Sequence, residues 1–506
     1  MIARSFAPVA VAAAAFFVPA QALFAAARAP AAIGSAATAA ARGGGEAESE
    51  GAGPESGAYA ITHVNVVPMD RERVLADQTV LVRDGKIVRL GSAGDVAVPE
   101  GATRIDGRGR WLMPGLADMH AHLFSDDAFP DSLAPDELAV MLANGVTTVR
   151  FMIGTPEQLE LRSRVAAGEL LGPTIYSASP QLSGKAYGEI FNGRVVTTPE
   201  EARAAVREVS AAGYDFVKLT YLISRPVYDA VVETAREVGI PVIGHVDPQV
   251  GLERALEAGQ QIEHLDSYME AILADDAPSR VSVSTINVWK TENWLTLDHV
   301  DEAKIAEVAA ASARAGVTNT PTLTFFKLVF GIRPTAEQIR AFPEWRFLSP
   351  GRRAEMESGF TWKAPPTDER RRRYVELRNR ITKAIHDAGG RILAGSDSPD
   401  WFLLYGFSLH RELANLVEAG LTPYEALEAA TRNPAEWLGA SETFGTIAEG
   451  RRADLLLLEA NPLERVGNAR KRVGVMVRGR WLPESELRAM LDRAAPRFQA
   501  GFEATG

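Results

Sequence analysis

Four of the chain's eight histidines stand at the ends of short apolar runs, which is the placement a cluster of imidazole ligands needs. In Asp118-Met119-His120-Ala121-His122 the two rings are two residues apart, so an extended strand presents both on one side. His245 ends Val242-Ile243-Gly244-His245, His264 ends Gln261-Ile262-Glu263-His264, and Asp397 ends Leu393-Ala394-Gly395-Ser396-Asp397. A lone His-x-His pair says little, because a buried histidine is often just a satisfied core residue. Several in one class of position are harder to dismiss, since histidine is the commonest metal ligand.

Lys218 closes Phe216-Val217-Lys218 in the same manner. Such a lysine is either a rim charge that reaches to water or a buried amine beside cations, whose pKa falls. In the second case it can take up carbon dioxide as a carbamate, an anion able to bridge two cations. Tyr221, three residues on, either hydrogen-bonds a substrate oxyanion or packs as a rim aromatic. A carboxylate-ended substrate needs a cation, for which Lys185, Arg225 and Lys327 are candidates. His410 follows Asp397 closely enough to stand behind the ligands, whereas His63, His299 and His386 read as structural or surface residues. The run Arg370–Arg373 with Arg378 and Arg380 is interleaved with acids and reads as a solvated helix face.

These residues need strands to carry them. Candidate strands run over Gly115–His122, Thr147–Phe151, Thr174–Ala178, Phe216–Tyr221, Pro241–Val246, Gln261–Leu265, Val317–Leu323 and Arg391–Asp397, with helical patterns such as Glu200–Ala212 and Arg225–Val238 between them. Eight βα repeats over 114–436 predict an α/β protein built on a (β/α)8 TIM barrel, whose sites gather at strand C-terminal ends. An open doubly wound sheet is the alternative, but no glycine-rich phosphate fingerprint follows the first strand. Short alternating strands occupy 59–113, with Asp84-Gly85 as a hairpin turn, and the same texture returns within 437–490. The two pieces predict one composite β-sandwich made from both ends of the chain, with 491–506 as a tail. The stretches Asp266–Trp294 and Pro321–Pro366 are insertions rich in aromatics, among them Trp289, Trp294, Phe325, Phe326, Phe330, Trp345, Phe347 and Trp362. They suit a lid over an apolar substrate or an oligomer contact equally.

The chain has 506 residues, 46% apolar and 24% charged, with 54 basic against 65 acidic side chains and a net charge of −11. That balance argues against nucleic acid as a partner. The absence of cysteine removes disulfides, thiolate metal sites and cysteine nucleophiles. Residues 1–27 read as a cleaved signal peptide, with an apolar Val9–Val18 and an Ala20-Gln21-Ala22 cleavage pattern. An uncleaved anchor is the alternative. Residues 28–57 read as a disordered linker. An exported protein, periplasmic or secreted, is expected, with no stable membrane span once the signal is removed.

Taken together, these motifs resemble the amidohydrolase superfamily over nearly all of 59–480. The resemblance rests on Met113-Pro114-Gly115-Leu116-Ala117-Asp118-Met119-His120-Ala121-His122 and on Gly145-Val146-Thr147-Thr148-Val149-Arg150. It rests also on the closing Asn433-Pro434-Ala435, Gly439, Gly445-Thr446-Ile447, Gly450 and Ala453-Asp454-Leu455. Within the superfamily the chain looks most like the imidazolonepropionase-related branch that includes Xaa-Pro dipeptidases and ochratoxin-type amidases. The resemblance implies a hydrolase with two divalent metal ions, zinc by default, held by His120, His122, Lys218 as a carbamate, His245, His264 and Asp397. It implies attack by a metal-bridging hydroxide on the amide or peptide bond of a dipeptide, an N-acyl amino acid or a similar small amide. Asp397 would carry the proton to the leaving amine. Hydrolysis of a cyclic amide, lactone or ester on the same site is an alternative, and a metal-binding barrel without turnover is another. Family members often read Arg-Asp after Gly-Val-Thr-Thr-Val, whereas here Arg150 precedes Phe151, which bears on how the second strand is supported. Deaminase relatives usually carry a glutamate a few residues past the fifth-strand histidine and lack the lysine. Here His245 precedes Val-Asp-Pro-Gln and Lys218 is present, which favours a two-metal hydrolase. By analogy with relatives, a homo-oligomer is expected.

Overall fold

The computed structural model describes residues 57–123, 133–185, 193–359, 365–399 and 403–501. The expected leader, all of the linker but its last residue, and Trp362 lie outside the described residues.

The first strands are β1 (Tyr59–Val66), β2 (Leu75–Arg83), β3 (Lys86–Ser92), β4 (Thr103–Asp106) and β5 (Trp111–Pro114). Asp84 and Gly85 turn β2 into β3 with φ of 51° and 74°, the paired left-handed conformation that suits a tight hairpin. Near the other end lie β15 (Leu455–Leu458), β16 (Arg472–Val477) and β17 (Arg480–Pro483). All of them join one sheet in the order β17-β16-β15-β5-β1-β2-β3, with β4 on β1. The joint between the two ends is β15 antiparallel to β5, from Leu455 opposite Pro114 to Leu458 opposite Trp111. The four leucines of β15 explain why it lies centrally. Leu455 and Leu457 enter a small core with Ile61, Val64, Val80 and Met476, while Leu456 and Leu458 face the main core.

The middle of the chain is α/β. Strands β6 (Leu116–Ala121), β7 (Val146–Phe151) and β8 (Thr174–Ser177) form one parallel sheet. A second parallel sheet comprises β9 (Leu182–Ser183), β10 (Arg194–Val195), β11 (Val217–Leu219), β12 (Val242–Gly244), β13 (Gln261–Glu263) and β14 (Asn319–Thr320). Single parallel bridges link Ala178 to Phe216, Asn319 to Ile392, and Ser398 to Ala121. The eighth expected strand, Arg391–Asp397, thus makes bridges but no ladder, and no continuous eight-stranded ladder closes among the described residues. Its path is bent at Asp397 (φ 59°), and at Gly395 a Cβ would sit 2.6 Å from the Cβ of His120. Helices lie where expected, at Pro199–Ala211 behind a Thr198/Glu201 capping box and at Arg225–Val238, which ends on left-handed Gly239. Residues 484–501 form one helix that buries Leu487, Met490, Ala494 and Phe498 across the expected boundary at 490.

Candidate metal centre

The C-terminal ends of β6, β11, β12 and β13 and the 391–398 segment converge, and they carry the predicted side chains with them. His120 Nε2 and His122 Nε2 lie 3.2 and 3.0 Å from the same oxygen, Oδ1 of Asp397. His264 Nδ1 is 3.8 Å from the other carboxylate oxygen. The rings of His120 and His264 are 4.6 Å apart and those of His245 and His264 4.7 Å apart. His120, His264 and Asp397 can each direct one ligand atom into a space where all lie within 4.8 Å of one another. His264 reaches this space because the backbone leaves the strand there: His264 and Leu265 have φ of 61° and 53°. Glu263 and His264 can therefore both face the site, although neighbours on a regular strand point oppositely.

Lys218 is buried between these groups, and its Nζ has no hydrogen-bond partner among the described residues. Burial pushes its amine down to about 8. Gly244 makes room for it, since a Cβ at that position would sit 2.9 Å from Lys218 Cδ and 2.3 Å from the carbonyl of Leu219.

An outer ring of partners fixes the imidazoles. Glu263 Oε2 lies 2.6 Å from His120 Nδ1, Asp266 Oδ2 lies 2.8 Å from His245 Nδ1, and the Thr322 hydroxyl lies 2.7 Å from His264 Nδ1. Burial opposes ionisation of Glu263, but Arg150 and His120 outweigh it and hold the carboxyl far below its usual range. Asp397 follows the same logic: burial raises it, and His120 and His264 more than compensate. Asp118 accepts from Ser396 N at 2.9 Å and Ser396 Oγ at 2.6 Å, which ties β6 to the segment bearing Asp397.

These residues fit divalent cations. Two imidazole nitrogens converge on one carboxylate oxygen, a third imidazole approaches the other, and an unpartnered buried amine lies alongside. The donor set is nitrogen and oxygen, as zinc and its neighbours prefer.

Other predicted residues have partners of their own. The Tyr221 hydroxyl donates to Asp266 Oδ2 at 2.8 Å, so its proton serves the carboxylate behind His245. His410 lies on helix Phe407–Glu418, which turns it away from Asp397; its Nε2 is 2.9 Å from the Asn144 carbonyl, at the opposite end of β7 from the site. Arg225 pairs with Asp229 one helical turn on, at 3.0 Å. Lys327 pairs with Glu418 at 2.5 Å. Trp294, Phe326, Phe330 and Phe347 are buried in the core and not on an exposed face. Arg378 is also buried, against the expectation of a solvated face. Glu263 and Asp266 went unnoticed in the sequence. A charged residue inside the apolar run Gln261–Leu265, matched by Arg150 inside another, is the signal that marks Glu263.

Arg150 itself supports the second strand. Its side chain donates to the Met119 carbonyl at 2.6 Å, to Gln261 Oε1 at 3.0 Å and to Glu263 Oε1 at 2.6 Å, which binds β7 to β6 and β13 without an aspartate after it.

The sequence profile of the amidohydrolase family matches residues 111–482. An imidazolonepropionase from Stenotrophomonas maltophilia is 34% identical over 154 residues, 28% of this chain and 35% of that protein. The imidazolonepropionase of Mycolicibacterium smegmatis is 27% identical, over 76% of this chain and 85% of its own. The ochratoxinase of Aspergillus niger is 24% identical, over 79% of this chain and 80% of its own. The crystal structure of a candidate prolidase from Bifidobacterium longum aligns with a TM-score of 0.60 at 25% identity, covering 87% of this chain and 100% of that one. The shared fold is α/β of the TIM-barrel type. The chain belongs to the amidohydrolase family and is a hydrolase acting on carbon–nitrogen bonds.

Proposed function

We propose that the protein is a two-metal amidohydrolase that cleaves the amide or peptide bond of a small substrate: a dipeptide, an N-acyl amino acid or a similar amide. The observation that carries this reading is the meeting of His120 and His122 on one oxygen of Asp397 beside the unpartnered amine of Lys218. In this reading His120, His122, His245, His264, Asp397 and a carbamate on Lys218 would hold the two cations, with zinc the expected metal. Bound there, two cations polarise a substrate carbonyl and lower the pKa of water. Asp397 takes the proton of the attacking water and gives it to the leaving nitrogen, because an amide anion is a very poor leaving group. Glu263 and Asp266 keep Nδ1 of His120 and of His245 engaged, which leaves Nε2 of each for a ligand role, and Thr322 orients the His264 ring through its Nδ1. The reading extends to a closed barrel over 114–436 capped by a sandwich of 59–113 and 437–490, a homo-oligomer, and export directed by residues 1–27.

The imidazolonepropionase relatives favour a second reading, hydrolysis of a cyclic amide at the same residues. The test is elemental analysis of protein prepared with bicarbonate and without chelator, followed by a hydrolysis panel. About two metals per chain, falling when Lys218 is replaced by alanine, with turnover of linear amides, is the expected result. One metal unaffected by Lys218→Ala, with turnover of cyclic amides alone, transfers the assignment to the second reading. Fully metallated protein that hydrolyses nothing on the panel sinks both.

A further inference from the structure

The two loops that meet behind His264 are bent in the same unusual way. His264 (φ 61°), Leu265 (φ 53°) and Ser267 (φ 65°) on one side, and Thr322 (φ 47°) on the other, are left-handed residues other than glycine. Each such residue is strained, so the surrounding structure must hold it. The bends matter because they bring His264 Nδ1 to within 2.7 Å of the Thr322 hydroxyl, the contact that orients the ring.

A single side chain reaches both bends. Arg378, on helix Asp368–Asp387, donates from the same Nη2 to the carbonyl of His264 at 2.8 Å and to the carbonyl of Pro321, just before Thr322, at 2.9 Å. Its guanidinium carbon lies 3.6 Å from the ring centroid of Phe326, and that ring meets the His264 imidazole edge-on at 5.7 Å. A planar guanidinium can stack and donate at once, and an ammonium cannot do both in this geometry. Arg378 belongs to the buried stripe Tyr374, Leu377, Ile381 and Ile385, so its helix is anchored in the core and the guanidinium is held in place.

We infer that Arg378 is a positioning residue for the site: its guanidinium clamps the two left-handed bends that bring His264 and Thr322 together. The inference rests on the reading of His264 as a ligand, and it concerns the placement of that ring and not the identity of any substrate.

The test uses the full chain stripped of metal, with Arg378→Lys as the variant. Two-bond proton–nitrogen spectra of the histidine rings are recorded, with His264 assigned from His264→Ala, and Co²⁺ is then titrated in. The expected result is a shifted His264 signal with the His120 and His122 signals in place, and Co²⁺ binding weaker by about 10–100-fold at one site. If Arg378→Lys does not fold, Arg378→Gln, whose amide can still donate to one carbonyl, is read in the same way. Arg378→Ala adds a further arm: methylguanidinium should restore the native His264 signal. A lowered melting temperature with the His264 signal and Co²⁺ affinity unchanged would overturn the inference and leave Arg378 as ordinary core packing. Wild-type protein that binds no Co²⁺ would count against the metal reading alone, since the ring spectra of the metal-free protein judge the clamp independently.

Discussion

Arg150 and Glu263 form an ion pair in which neither side chain is exposed, with Nη2 2.6 Å from Oε1. The other oxygen of Glu263 takes His120 Nδ1, and the guanidinium also faces the ring of Trp437 at 4.9 Å. A charge removed from such a pair leaves its partner buried and uncompensated, which costs roughly 3–5 kcal/mol. Glu263→Gln and Arg150→Met should each lower stability by about that amount in urea unfolding, and the double variant by clearly less than their sum. Additive losses would show that the two charges do not depend on each other. Because Glu263 also orients His120, Glu263→Gln should in addition weaken metal binding by about 10–100-fold.

Asp397 receives His120 and His122 on one oxygen and is kept ionised by them. A positioned proton carrier contributes about 10²–10⁴-fold to rate. Asp397→Asn should lower kcat by that factor on any amide the enzyme cleaves. Steady-state kinetics on metal-reconstituted protein decide the matter, and a kcat within about threefold of wild type would remove Asp397 from the proton path.

Gly244 has φ of 120° and lies against both Leu219 O and Lys218 Cδ. Gly244→Ala adds a methyl group where neither the backbone angle nor the space accepts one, and a cost of about 2 kcal/mol or more follows. The lysine must also move. Metal content per chain should fall along with the melting temperature, whereas a stable variant with full metal content would show that Lys218 tolerates displacement.

Glu412 is buried on helix Phe407–Glu418 and accepts from Leu323 N, Thr324 N and the Thr324 hydroxyl at 2.9, 2.7 and 2.8 Å. Burial nevertheless pushes its carboxyl up to about 7. The folded state therefore holds this proton to higher pH than the unfolded state does. Its contribution is fully present below about pH 4.5, declines as pH rises, and is gone above about pH 7. Each tenfold gain in proton affinity on folding is worth about 1.4 kcal/mol, so the whole decline is on the order of 3 kcal/mol. Urea midpoints of wild type and Glu412→Gln between pH 5 and 8 should diverge in slope, the variant being flatter. Parallel curves would mean that Glu412 is ionised throughout.

The ligand candidates were legible in the sequence because each is a polar residue closing an apolar run, and strand periodicity then places it at one end of the sheet. What escaped notice is set by contacts between distant segments. Glu263 looked like a strand residue beside a histidine, and only the left-handed turn at His264 lets both face inward. Arg378 sat in a run of arginines, and its burial follows from the stripe Tyr374, Leu377, Ile381 and Ile385, which the charge pattern masked. His410 is suggested by its nearness in sequence to Asp397 and Arg225 by its charge alone, but His410 is buried against the Asn144 carbonyl and Arg225 pairs with Asp229. The eighth strand was read from its apolar residues, yet the bend at Asp397 and the tight passage at Gly395 leave it without a ladder.

The pairing of β5 with β15 has a consequence for the order in which the molecule can assemble. Met113 runs directly into the strand of His120, and its partner across the sheet is Leu456, from the far side of the whole α/β segment. The edge that steadies the first pair of imidazoles is thus supplied by a strand made only after the whole α/β segment. Contacts between such remote residues are slow to form, because a large loop must close before they can reward it. Until that closure β5 has an unpaired, apolar edge, and a nascent or refolding chain is open to mispairing there for as long as its closing strand is missing.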